Sequence, residues 1–250
     1  MIGSVFTIIF GAILLYFGAD WMVKSSIHIA SKLKISKFII GLTVVAFGTS
    51  LPELGVSLKA AIFDKSGIAI GNILGSNIAN IALVLGFCSF IYPIVLSYSK
   101  IKKDLMVFLC ACGMLVFFMW DGILEQLEGV ILFSALISYT IHAFLVGDDE
   151  EGKIEDTNFS WIRTIAVLAF GIGFLFFGTE YFIEGSIKLA KIIGVSDLII
   201  GMSVVALGTS LPELVTSLIA GIKKESSISI GNILGSNIFN ILSVLGLVSI

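Results

Sequence analysis

Residues 47–58 read FGTSLPELGVSL, and residues 207–218 read LGTSLPELVTSL. Each stretch lies inside a long apolar segment, where a proline and a carboxylate are both out of place. A proline has no N–H for the carbonyl four residues earlier, and its ring crowds that carbonyl. Pro52 therefore frees the carbonyl of Gly48, and Pro212 frees that of Gly208. In hydrocarbon an unpaired carbonyl is costly unless it lines a cavity or binds something. Both segments are expected to be helices broken near the bilayer centre, with backbone oxygens available at the break.

The wider sequence fits a membrane. Of 250 residues, 57% are hydrophobic and 13% charged, about half the charged share of ordinary globular chains. Apolar runs long enough to cross a bilayer, roughly 20 residues each, recur throughout. Eight spans are expected near 4–23, 38–62, 67–92, 104–120, 127–147, 161–187, 198–221 and 227–250. The run from Val5 to Val23 has no basic flank and no small-residue cleavage site, so it reads as the first span rather than a leader. An acidic connector, GDDEEGKIEDTN at 147–158, separates the fifth span from the sixth.

A shift of 160 residues aligns the first half on the second without a gap. Between Phe38 and Gly86, 33 of 49 positions are identical to those between Leu198 and Gly246. YFGAD at 16–20 also returns as FFGTE at 176–180, which sets Asp20 against Glu180. The repeat unit is five spans, an odd number, so the second copy enters the membrane inverted, as in many secondary transporters. The expected organisation is an all-α polytopic membrane protein: a first five-span repeat at 1–147, an acidic linker at 148–160, and at 161–250 the first three spans of an inverted second repeat. That second repeat is expected to be truncated, since the sequence stops at Ile250, four residues after Gly246. With the N-terminus on one side, the loops of the other side hold eleven lysines and arginines against four. The positive-inside rule then puts the N-terminus outside and the linker in the cytoplasm.

Thr49, Glu53 and Ser57 are four residues apart and share one helical face, as do Thr209, Glu213 and Ser217. The third and eighth spans add GNILGSNIAN at 71–80 and GNILGSNIFN at 231–240, which put Asn72, Ser76 and Asn80 in one row and Asn232, Ser236 and Asn240 in its mirror. Asn77 and Asn237 lie beside these rows. Gly71, Gly75, Gly231 and Gly235 have the small-xxx-small spacing that lets membrane helices approach closely. A carboxylate at mid-membrane costs about 2.5–3.5 kcal/mol on insertion scales and marks a functional site by default. Two of them, with hydroxyl, amide and carbonyl oxygens, make an all-oxygen site with a charge near −2. Calcium takes 6–8 such oxygens at about 2.3–2.6 Å in irregular geometry, whereas magnesium sheds water reluctantly. Sodium also accepts these ligands, and protons compete for facing carboxylates.

Other polar features read as structure. Asn72, Asn232, Ser57 and Ser217 either bind ions or lace helices together. Asp20 and Glu180 read as anchors near span ends, and Asp148 to Glu151 as a solvated connector. Cys110 and Cys112 point to different helix faces, Cys88 is alone, and His28 and His142 have no partner at metal-ligand spacing. No basic patch suggests nucleic acid.

At GTSLPE and GNILGSNI, each present twice, the chain resembles the sodium/calcium exchanger family within the cation/calcium exchanger superfamily, above all its compact prokaryotic members. The resemblance covers essentially the whole chain. It implies ten spans in two inverted sets of five, and no enzymatic activity. It implies that Glu53, Glu213, Thr49 and Thr209 hold calcium. Ala46 and Ala206 through their carbonyls, with Ser76 and Ser236 through their side chains, are implied to form flanking sodium sites. Asn80 and Asn240 correspond to central polar positions, and the first and sixth spans are implied to slide across the core. Asn240 departs from relatives with an aspartate there, including the potassium-dependent branch. The expected function is exchange of Ca2+ for Na+ by alternating access in a prokaryotic cell membrane. A Ca2+/H+ exchanger on the same scaffold and a cation channel are the alternatives. The partners expected are the two ions and the lipid bilayer, with no cofactor, nucleic acid or obligatory protein partner.

Overall fold

The structure, a computed structural model, describes residues 1–93, 97–146, 160–200, 203–204 and 206–250. Its elements are α1 (Ile2–Leu33), α2 (Lys37–Thr49), α3 (Leu51–Ile62), α4 (Ser66–Ile91), α5 (Tyr98–Asp121), α6 (Gln126–Val146), α7 (Trp161–Ile192), α8 (Leu211–Ile222) and α9 (Ser226–Val248). Six of these are long and apolar enough to cross a membrane, and α2 with α3 forms a seventh such span, bent by 45°. The seventh expected span, 198–221, includes residues outside those described; its described helices are Asp197–Ile200, Ala206–Gly208 and α8. The linker at 148–160 is likewise outside the described residues up to 159.

The bend between α2 and α3 falls where Pro52 places it. Ser50 leaves the helix at φ −83°, ψ 5°, and Pro52 sits in the first turn of α3, where its missing N–H costs nothing. Ser210 and Pro212 repeat this geometry before α8, with φ −84°, ψ 5°. The repeat extends to details of the connections. Ser36 Oγ caps α2 by accepting the Ile39 N–H at 3.2 Å, and Ser196 Oγ accepts the Ile199 N–H at 3.4 Å. Asp64 and Lys224, 160 residues apart, both adopt positive φ, 55° and 64°. Each closes its turn with the next residue's N–H, Lys65 to Ala60 O and Glu225 to Ala220 O, both at 2.8 Å.

Two expected boundaries need correction. The first span does not stop at 23 but continues to Leu33, and the sixth reaches Ile192 rather than 187. Beyond Val23 the helix stays packed through Ser25, Ser26, Ile29 and Ala30, and Lys24 turns back to Asp20 at 2.7 Å. A 32-residue helix spans about 48 Å, longer than the hydrocarbon thickness of about 30 Å, so both helices tilt or project beyond it. Asp20 therefore lies well inside α1, yet it is an anchor as expected: Lys223 as well as Lys24 pairs with it. Lys37 makes the neighbouring bridge to Glu225 at 2.7 Å. The connections α1–α2 and α8–α9 are therefore at one end of the molecule. At the other end, Gln126 Nε2 donates to the carbonyl of Ile250 at 3.2 Å, which brings the α5–α6 turn to the end of α9.

α1 and α7 pack antiparallel through small residues every seventh position. Ser4, Gly11, Gly18 and Ser25 on α1, and Thr164, Gly171, Gly178 and Gly185 on α7, are all buried. A Cβ on Gly18 would stand 2.8 Å from the carbonyl of Gly171, and one on Gly178 3.0 Å from that of Gly11. The backbones thus touch, the contact that stands in for hydrophobic driving force between membrane helices. Around this pair, α9 is buried almost throughout. Its Ile228 joins Met22, Ile40, Val45 and Leu175 in one core, while its Ile238, Ile241 and Leu245 pack with Leu115, Leu132 and Leu136 of α5 and α6 in another. α4, the repeat-mate of α9, is less covered: Leu74, Ile78 and Ile81 are exposed.

Gly18→Leu is expected to part α1 from α7 and destabilise the protein by about 1–3 kcal/mol, the usual cost of overpacking. Gly173→Leu, at a position with open space around its Cβ, is expected to be neutral. Thermal unfolding in detergent, followed by tryptophan fluorescence, checks the pair.

Candidate ion-binding site

The two helix breaks face each other across the crossing of α4 and α9. Glu53, in the first turn of α3, and Glu213, in the first turn of α8, are both fully buried. A helix N-terminus suits a carboxylate electrostatically, and the break lets each repeat present one. The pair is close enough to repel. Among the described residues, neither Glu53 oxygen has a hydrogen-bond partner; Glu213 Oε1 accepts from Ser50 Oγ at 3.2 Å, and Oε2 has none. Ser76 approaches Glu53, and Thr49 and Ser236 approach Glu213, short of well-formed hydrogen bonds. Among the described residues no lysine or arginine pairs with either carboxylate. Three of four carboxylate oxygens are thus buried and unpartnered, the condition that a desolvated cation relieves.

The threonines and serines join the repeats. Thr49 Oγ1 stands 3.2 Å from the Ala46 carbonyl and 3.0 Å from Asn232 Oδ1, two acceptors for one proton. It also lies 3.2 Å from Ser236 Oγ. The mirror contact, Ser76 Oγ to Thr209 Oγ1, is 3.4 Å. The Ala46 carbonyl also takes the Ser50 N–H at 3.0 Å. Ala206 begins the short helix Ala206–Gly208, at the position that matches Ala46 in the other repeat. Asn80 and Asn240 are fully buried, and each starts a wide, π-helical segment, Asn80–Leu85 and Asn240–Leu245. Such segments are frequent at functional sites because they disturb the regular backbone ladder. Both polar atoms of Asn80 and Oδ1 of Asn240 are unpartnered.

The break glycines are held from outside. A Cβ on Gly48 would stand 2.5 Å from Met22 Cε, and one on Gly208 2.5 Å from Ile183 Cγ1, so α1 and α7 press directly on the two breaks. Asn72 and Asn232 prove to lace helices. Asn72 Nδ2 donates to Ser57 Oγ at 3.0 Å and to the Glu53 carbonyl at 3.3 Å; Asn232 Nδ2 donates to Ser217 Oγ at 2.9 Å and to the Glu213 carbonyl at 3.4 Å. Asn232 alone also reaches across to the other repeat, through Thr49. Sequence reasoning passed over Ser50 and Ser210, both buried between Thr and Leu of each motif. Their hydroxyls fall off the four-residue stripe, and only the break turns Ser50 toward Glu213. The small-xxx-small glycines serve unequally. A Cβ on Gly231 or Gly235 would stand 2.5 or 2.2 Å from the carbonyls of Phe38 and Leu42, whereas Gly71 and Gly75 have nothing within 4 Å among the described residues.

A second cavity, of about 590 Å3, lies apart from this site between α2, α5 and α6. Lys100, Lys102 and Lys103 line it beside Asp104, whose carboxylate accepts from Tyr139 Oη at 2.7 Å. Its three lysines make it a poorer fit for a cation than the acidic centre.

The sequence profile of the family described as "Sodium/calcium exchanger protein" matches residues 3–145 and 163–250. The sodium/calcium exchanger MaX1 of Methanosarcina acetivorans is 33% identical, over 96% of this chain and 81% of its own length. An uncharacterised membrane protein of Methanocaldococcus jannaschii is 38% identical over 92% of this chain and 76% of its own. A solved structure of the sodium-calcium exchanger NCX_Mj, soaked with Na+ and Ca2+, superposes with a TM-score of 0.87 at 36% identity, covering all of this chain and 82% of that one.

Asn232→Ala is expected to weaken divalent-cation binding and to cost about 1–3 kcal/mol, because it takes away the buried donor to Ser217 and one of the two acceptors of Thr49. Asn72→Ala, which breaks contacts within one repeat only, is expected to cost less. Calorimetric titration with Ca2+ and thermal unfolding of both variants check the order.

Proposed function

The chain belongs to the sodium/calcium exchanger family, as an integral membrane antiporter and not an enzyme, and from that premise we propose how its central site exchanges Ca2+ for Na+. The observation that carries the reading is the carboxylate pair: Glu53 and Glu213, fully buried, presented by two duplicated helix breaks, with three of their four oxygens unpartnered.

Ca2+ as substrate bridges the two carboxylates, with Thr49 and Thr209 beside them, and replaces its shed water with protein oxygens. Na+ ions flank this position, held by the Ala46 and Ala206 carbonyls and by Ser76 and Ser236. Asn80 and Asn240 close the centre, and Ser50 steadies Glu213. Because position 240 is an amide, the site's formal charge is −2. One Ca2+ neutralises it, and so do sodium ions taken together, so the two loads exclude each other. An unloaded site leaves two uncompensated charges buried in a low-dielectric core, a penalty of several kcal/mol per ion. That penalty opposes reorientation of the empty protein and ties the two fluxes together.

The two-repeat division at 1–147 and 161–250, with 148–160 as linker, belongs to this reading, as does an external N-terminus. The eleven-to-four excess of basic residues supports that orientation. So do the paired ends: Lys37 with Glu225 and Asp20 with Lys223 bring together two loops assigned to the same, cytoplasmic side.

In liposomes loaded with Na+, an outward Na+ gradient is expected to drive Ca2+ uptake, and a pH gradient at clamped voltage is not. Glu53→Gln and Glu213→Gln are each expected to abolish the uptake while the protein still folds. Undiminished exchange in both variants would sink the shared site.

A further inference from the structure

Beside the ion site, α4 and α9 meet through a quartet of buried asparagines whose hydrogen bonds break the symmetry of the repeat. Asn77 Nδ2 donates across the crossing to the Asn237 carbonyl at 3.2 Å, and Asn240 Nδ2 donates to Asn77 Oδ1 at 3.0 Å. Asn237 instead turns to its own helix and donates to the Ile233 carbonyl at 3.0 Å. Among the described residues, Asn237 Oδ1 and both polar atoms of Asn80 have no partner.

Nine of the ten residues in 71–80 recur in 231–240, so the mirror arrangement is available to the same side chains. In it Asn237 donates to the Asn77 carbonyl, Asn80 to Asn237 Oδ1, and Asn77 to the Ile73 carbonyl. The backbone has room for either set. The N–H of Asn240 is shared between the Ser236 and Asn237 carbonyls at the start of the π segment, and that of Asn80 between those of Ser76 and Asn77. Each set contains three hydrogen bonds, two across the crossing and one within a helix, so the two are balanced. The surroundings carry the same bias. Ser50 holds Glu213, while Ser210 Oγ has no partner among the described residues. Thr49 reaches Asn232, whereas among the described residues Thr209 makes no bond to Asn72. α9 clasps α2 through Gly231 and Gly235, which leave no room for a Cβ against the carbonyls of Phe38 and Leu42.

We propose that Asn77 and Asn237 are positioning residues that set which half of the molecule is clasped, and hence which side the ion site faces, by exchanging these two mirror-related hydrogen-bond sets. The proposal rests on the alternating-access reading above. It gives Asn77 and Asn237, which stand off the rows of proposed ligands, a role in orientation rather than in holding ions.

The bond count makes the test quantitative. Asn77→Ala removes two bonds from the present set and one from the mirror set, a net bias toward the mirror form. Asn237→Ala removes one from the present set and two from its mirror, a bias the other way. The double variant removes all three from each, and the biases cancel. One buried hydrogen bond is worth about a fivefold change in a two-state ratio. The readout is amide hydrogen exchange, comparing the peptide over 37–49 with its counterpart over 197–209, in detergent with Ca2+ removed. Asn77→Ala is expected to raise the exchange ratio of the first peptide to the second about fivefold, Asn237→Ala to lower it about fivefold, and the double variant to restore it. Asn→Ser variants, gentler on folding, are expected to shift it in the same directions by less. Shifts of one sign in both single variants, a shift that persists in the double, or no shift at all would overturn the proposal. The measurement needs no transport. A wild-type protein that fails to exchange Ca2+ for Na+ in liposomes would defeat the functional reading while leaving this test to be scored separately.

Discussion

Two carboxylates without a counter-charge, buried in the middle of an apolar protein, are the constraint on which the rest of this structure depends. Neither Glu53 nor Glu213 has a lysine or arginine beside it among the described residues, and only one of their oxygens accepts a hydrogen bond. Such a pair is tolerable only if a cation or a proton supplies the missing charge. The surroundings follow from that need. The helices break at Pro52 and Pro212 so that both carboxylates sit at helix N-termini. Hydroxyls from the opposite repeat stand within reach, and α1 and α7 cover the breaks with glycine beneath them.

Much of this was legible in the sequence. The duplicated GTSLPE gave the breaks because proline acts through its own covalent structure, whatever surrounds it. The 160-residue shift gave the inverted architecture because identity at two-thirds of positions needs no folding model to detect. The asparagines and serines that lace α3 to α4 and α8 to α9 were identified as polar, but binding and bridging look alike until partners are known. Less legible were the features that depend on one repeat meeting the other. Ser50 reaches Glu213 only because the chain turns at the break. The lengths of α1 and α7 were underestimated because hydropathy falls at Lys24 and Lys188, while an i,i+4 pair at each, with Asp20 and with Glu184, keeps the helix going. The small residues at every seventh position were hidden for a similar reason: glycine and serine contribute little to an apolar window, although here they mark the tightest contact in the protein.

The repeats are alike in backbone and unlike in contacts. Asp64 and Lys224 share an uncommon positive φ, and Ser36 and Ser196 cap alike. Yet Thr49 reaches Asn232 across the crossing, whereas among the described residues Thr209 makes no such bond to Asn72. Local structure is therefore set by each copy's own sequence. Which copy is clasped is decided at the crossing, by a few side-chain bonds that two equivalent sequences cannot all make at once.

The α1–α7 contact has one more consequence. Counted within each copy, Gly11 meets the partner's equivalent of Gly18, and Gly18 meets its equivalent of Gly11, so the surface is complementary to itself about a two-fold axis. A single unduplicated copy already carries both halves of that contact. Two such copies, inserted in opposite orientations, would join through it as an antiparallel homodimer before any fusion. The seam between the two copies is thus built as a two-fold interface is built, with each copy offering the other the same pair of glycines.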